Sequence, residues 1–104
     1  MNGNIMQEVP RTLIGIMHVE LRLPTCNSLK EKRSIIRSCM NYIRRQWNIA
    51  IIEAAHQNAH RSAILALTTI STERDIVQNT LRKAEDYLNT LNGAEVVDIM
   101  SEIV

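Results

Sequence analysis

The sequence predicts an α+β fold in one domain, and three observations predict it. Apolar residues alternate from Thr12 to Leu23, a capped amphipathic helix follows at once, and a strand-strand-helix-strand series comes behind it. A chain of 104 residues is long enough to bury one core without a disulfide or metal staple.

Taken in order, residues 1–11 mix Asn, Gly, Gln, Glu and Pro with no period. They are expected to form a flexible extension, with the domain occupying 12–104. In the first strand Leu13, Gly15, Met17, Val19, Leu21 and Leu23 point one way, and Ile14, Ile16, His18, Glu20 and Arg22 the other. Pro24 to Asn27 turn the chain into a helix from Ser28 to Trp47. There Ser28 is expected to cap the first turn while the Glu31 side chain reaches back to the Ser28 N–H, a reciprocal capping box. Leu29, Ile36, Met40, Ile43 and Trp47 share an apolar arc, widened by Ile35 and Cys39. Lys32 falls inside that arc and is expected to pack its stem and carry its ammonium out to water.

The Ile-rich run from Asn48 to Ala54 reads as a second strand, HQNAHR as a connection, and Ser62 to Ser71 as a third strand paired with the second. Thr72 and Asp75 signal another helix cap, and Val77, Leu81, Ala84, Leu88 and Leu91 supply that helix's apolar face. Asn92-Gly93 is expected to stop it, with Gly93 at the left-handed position just past the end. The last strand has edge character, with Val97, Ile99, Ser101 and Ile103 on one side and Val96, Asp98, Met100 and Glu102 nearer the other. The order β-α-β-β-α-β is that of a ferredoxin-like sandwich, a four-stranded antiparallel sheet with two helices on one face. Its other face is then bare. Ile14 and Ile16 make that face an apolar patch, expected to be the interface of a homodimer.

Composition excludes several chemistries. Aromatic residues are 3% of the chain and Phe is absent, so the core must be aliphatic. With no aromatic on the first or third strand, the sheet does not stack bases as RNA-recognition motifs do. No apolar run nears the roughly 20 residues of a membrane span, and the N-terminus lacks the basic-then-apolar order of a signal peptide. A cytoplasmic, non-membrane protein is expected, and two cysteines suit a reducing compartment. Cys26 stands alone in the first loop, where metal carriers of this topology need a pair. PTCNSLKEKR lacks the glycine and loop arginine of an acylphosphatase phosphate cradle. His56 and His60 are four apart but have no third ligand beyond the distant His18, so neither a metal nor a cofactor is assigned. Glu53 is expected to pair with His56 or Arg61. A lone carboxylate and histidines without a nucleophile define no reaction, so no catalytic residue is assigned and an accessory protein is favoured over a hydrolase built on His56, His60 and Glu53.

Charge is the remaining signal. The net charge is only +1, yet residues 28–47 hold six of the 12 Lys and Arg against a single acid, Glu31. Lys30, Arg33, Arg37 and Arg44 recur at spacings of three, four and seven, which places them in one narrow stripe beside the apolar arc. Most such stripes are simply solvated. The shortage of compensating acids favours a polyanionic partner instead.

VELRLP, SLKEKRSIIRS and EAAHQNAHRSAILAL together resemble the YlxP-like family of small bacterial proteins of unknown function, over nearly the whole domain from about Thr12. Relatives more often carry an acid where Asn58 stands, an aromatic at His60 and an arginine at Ser62. The resemblance implies a ferredoxin-like fold and, because such genes tend to lie among those for transcription, translation initiation and ribosome maturation, a link to RNA or the ribosome. On that link, Lys30, Arg33, Arg37 and Arg44 would contact phosphates of a structured RNA or ribosomal particle, with no reading of bases and no DNA sequence specificity. The alternative from the residues is a homo-oligomeric or ligand-sensing module that uses the open sheet face.

Overall fold

A computed structural model of the chain describes residues 8–104. Its elements are β1 (Leu13–Arg22), α1 (Leu29–Gln46), β2 (Ala50–Ala55), β3 (Ser62–Ser71), α2 (Arg74–Leu88) and β4 (Glu95–Ile103). The strands form one antiparallel sheet in the order β2-β3-β1-β4. This is the ferredoxin-like α+β architecture that the sequence predicts. Most of the expected extension lies outside the described residues, and from Glu8 to Thr12 the chain is neither helix nor strand.

Alternation in β1 sets the layers. Met17, Val19 and Leu21 are buried toward the helices, and the register puts them beside Leu67, Leu65 and Ala63 of β3. Because the side-chain period of a strand is two, one register fixes both faces of the sheet. Ile36 and Ile43 of α1 and Val77, Leu81, Ala84 and Leu88 of α2 complete this aliphatic core. Each fully buried aliphatic side chain contributes roughly 1.5–3 kcal/mol. The buried Thr69 hydroxyl donates to Asn48 O at 2.6 Å, so no polar cost is left there. The chain's three aromatic residues meet in one cluster. Tyr42 stacks on Tyr87 with centroids 4.2 Å apart, and Trp47 meets both rings edge-on, joining the C-terminal ends of α1 and α2.

Several local expectations change. At α1 the Ser28 hydroxyl accepts from Glu31 N–H at 3.0 Å, but among the described residues no bond returns from the Glu31 carboxylate, so half of the capping box forms. At α2 the cap is not Thr72. The Ser71 hydroxyl accepts from Glu73 N–H and the helix starts at Arg74, because Ser71 at the strand end already faces the turn. That helix ends at Leu88 with Asn89 as its cap, so Gly93, at φ +79°, serves the later turn into β4. β2 begins at Ala50 instead of Asn48, whose carbonyl is taken by Thr69. In β4 a bulge opposite Glu20 and Leu21 shifts the register, so Val96 joins Ile99 and Ile103 on the helix side while Val97 is exposed.

Gly15 marks the closest approach of α2 to β1. A Cβ there would lie 2.5 Å from Val77 Cγ1 and 2.8 Å from Leu81 Cδ1. Gly15→Ala is expected to lower stability by about 1–3 kcal/mol through overpacking, read from urea unfolding midpoints; Gly15→Ala paired with Val77→Ala should recover part of the loss.

Candidate functional site

The α1 helix is organised about a charge that does not reach water. Lys32 is 0% exposed, on the same face as Ile36, Cys39 and Ile43. Its ammonium lies 2.6 Å from Glu53 Oε2 and donates to His56 O at 2.6 Å. The snorkelling expected for Lys32 does not occur, because β2 brings a carboxylate directly beneath it. Glu53 therefore pairs with Lys32, not with His56 or Arg61. His56 sits at φ +65°, a left-handed conformation uncommon outside glycine, and its Nδ1 hydrogen-bonds the Ser62 hydroxyl. Gln57 Nε2 donates to Glu53 O, and Arg61 Nε donates to Cys26 O. The β2–β3 connection is thus stapled to α1 on one side and to the β1–α1 loop on the other. Cys39 lies in the same interior. Burial, and then the Glu53 charge, push its thiol from 9.0 to about 11, the opposite of what a nucleophile needs. His56 and His60 share the connection, yet among the described residues no three His, Cys, Asp or Glu side chains converge as a metal site requires.

With α1 fixed in rotation, Lys30, Arg33, Arg37 and Arg44 are all exposed. Among the described residues the one ion pair is that of Lys32 and Glu53, so none of these four has a carboxylate within pairing distance. They are not equivalent. Arg44 folds over the β2 edge, where Nη2 donates to Ile51 O at 2.8 Å and Nη1 to Asn41 Oδ1 at 3.1 Å. Lys30, Arg33 and Arg37 remain a row of free cationic tips.

The open face of the sheet reads in rows. Ala50, Thr68, Ile16 and Glu102 stand side by side across the four strands, and Ile52, Ala66, His18 and Met100 form the next row. Ile14 pairs with Ile70 at one end. Ile52 is 60% exposed and Met100 70% exposed, so this face carries large apolar groups in water. Arg44 borders the groove between β2 and β3 on this side.

A family model described as a protein of unknown function, DUF503, matches residues 14–101. The chain belongs to this family. It is 20% identical over 83 residues to the uncharacterized protein YlxP of Bacillus subtilis (strain 168), covering 80% of this chain and 90% of that protein. Of solved structures, a structural-genomics protein, YJCS, superposes with a TM-score of 0.56 at 12% identity, covering 86% of this chain and 96% of its own. The de novo designed protein Foldit4 does so with a TM-score of 0.53 at 5% identity, covering 89% and 96%. At such identities these likenesses concern the fold alone. No helix among the described residues is long and apolar enough to cross a membrane.

In this DUF503 chain the SLKEKR block supplies three different things: the Ser28 cap, the buried Lys32 and the exposed Lys30 and Arg33. Sequence reasoning missed the Lys32–Glu53 pair, although a signal was present. A lysine within an apolar arc and a glutamate within an Ile-rich strand each need a partner, and each is the other's nearest solution.

Removing one partner leaves a charge stranded. Lys32→Met is expected to destabilise the fold by about 3 kcal/mol or more, while Lys32→Met with Glu53→Leu should recover most of that, as measured in a denaturant double-mutant cycle. The folded protein also holds the Cys39 proton more tightly than the unfolded chain does. The free energy of unfolding should therefore fall as pH rises from 9.0 to about 11. Tyr87, raised by burial first and then by Cys39 and Tyr42, adds to the loss at the upper end. Cys39→Val should flatten the lower part of that decline, and native Cys39 should resist alkylation at neutral pH.

Proposed function

We propose that the protein is a non-catalytic accessory factor that holds a structured RNA, such as ribosomal RNA, against the exposed cations of α1. The observation that carries the reading is the row Lys30, Arg33 and Arg37, solvent-facing and without a carboxylate in reach among the described residues. A rise of about 1.5 Å per residue spreads the three over roughly 10 Å of helix, a length suited to following a phosphate backbone. Arg44 ends the row at the β2 edge and adds its field to it. The RNA and ribosome link implied by the YlxP-like resemblance supports the same partner. With all the aromatic rings gathered at the helix ends, contact is to phosphates and not to stacked bases.

A second reading, an oligomeric or ligand-sensing module, is supported by the apolar open face around Ile14 and Ile16.

The RNA reading is tested by titrating ribosomal RNA fragments with the protein at several salt concentrations. Affinity should fall with salt, and Lys30→Glu, Arg33→Glu and Arg37→Glu together should weaken binding and reduce the slope by about one per lost contact. A salt-insensitive curve, or one the triple reversal leaves unchanged, removes RNA as the partner. Capture of an acidic protein by the same row, with no RNA retained, would do so as well.

A further inference from the structure

The open sheet face is patterned for a second copy of itself. Across the first row the residues run small, small, large, charged: Ala50, Thr68, Ile16, Glu102. The next row runs Ile52, Ala66, His18, Met100. A two-fold axis lying parallel to the strands, midway between two facing sheets, reverses each row over itself. Ile16 then covers Thr68 of the second copy, His18 covers Ala66, and Ile52 and Met100, the most exposed large apolar groups of the two rows, cover one another. In each of the first two pairings a large side chain meets a small one, as interdigitated sheet packing requires.

Charge selects this axis over the other in-plane choice. A two-fold perpendicular to the strands lays β4 on β4 and so brings Asp98 and Glu102 of one copy against the same carboxylates of the other. The axis along the strands lays β4 over β2. Glu102 then arrives at the level of Ala50, one residue from Ile51, whose carbonyl holds Arg44 at the rim of the groove. Arg44 has used one N–H on Ile51 and one on Asn41, which leaves three of its five donors for an incoming carboxylate. A like-charge contact is thereby exchanged for an opposite-charge one.

The footprint is adequate. Strands of 10, 6, 10 and 9 residues, about 4.8 Å apart and rising about 3.3 Å per residue, present a flat area of roughly 550 Å². Side-chain relief brings this toward the ~800 Å² per partner of a standard interface.

We infer that two copies of this chain pack open face to open face about an axis along the strands, with Ile14 and Ile16 in the interface and Glu102 of each copy paired to Arg44 of the other. The inference rests on the oligomeric reading of the open face; it draws Arg44 from the end of the cationic row but leaves Lys30, Arg33 and Arg37 uncovered, so its failure leaves the RNA reading standing.

Sedimentation equilibrium of the full chain over the micromolar range tests it. Wild type should dimerise. Met100→Asp should abolish the dimer, and Glu102→Arg or Arg44→Glu should each raise the dissociation constant about tenfold, the effect of turning an opposite-charge contact into a like-charge one. The swap Glu102→Arg with Arg44→Glu should restore association, which a mere loosening of the β2 edge by the Arg44 change would not. The triple reversal of Lys30, Arg33 and Arg37 should leave the dimer intact. Circular dichroism checks that each exposed substitution leaves the fold unaltered. A wild type that stays monomeric overturns the inference, as does a dimer indifferent to Met100→Asp or a swap that fails to restore it. A monomer that instead carries a small molecule or another protein on this face overturns it too.

Discussion

The buried ion pair of Lys32 and Glu53 sets the orientation of α1 on the sheet. Withdrawing two charges from water costs several kcal/mol per ion, so the pair persists only because it is close and because the His56 carbonyl takes a further ammonium proton. Geometry this demanding allows α1 one rotation about its axis. Ile36 and Ile43 then face the sheet, and Lys30, Arg33 and Arg37 face water. The same carbonyl fixes the left-handed turn at His56, so the β2–β3 connection and the helix are positioned together.

Two surfaces follow from that arrangement, back to back. One is the cationic edge of α1. The other is the sheet face that no helix among the described residues covers, and Arg44 stands between them at the β2 edge. Its bond to Ile51 O also occupies part of an edge strand that would otherwise offer free backbone groups to another chain. A long, always-charged side chain with a planar set of donors suits that position, where lysine would supply a single point charge.

The interior chemistry points away from catalysis at the cysteines. Cys39 is held as a thiol by burial and by the nearby carboxylate, and Cys26 is buried with its Sγ directed to the Ser28 carbonyl. Both act as small apolar fillers of the core. With Thr69 hydrogen-bonded and Lys32 paired, the buried polar groups of the described residues serve to specify the packing of an otherwise uniform aliphatic interior.

The element order, the two faces of β1, the core side of each helix and the exposed stripe on α1 were legible in the sequence. These follow from periods of two and 3.6 residues, which depend only on covalent geometry and are complete within each segment. The half-formed capping box at Ser28, the late start of α2 and the bulge at Val97 escaped it, because each turns on which of several nearby groups wins a hydrogen bond once the strands are in place. That Lys32 is interior and that Arg44 folds over β2 emerged with the packing of α1 on the sheet. Their partners, Glu53 and Ile51, come from another element, and whether a cation meets a carboxylate, a carbonyl or water is set by the distances that folding creates between segments far apart in the chain.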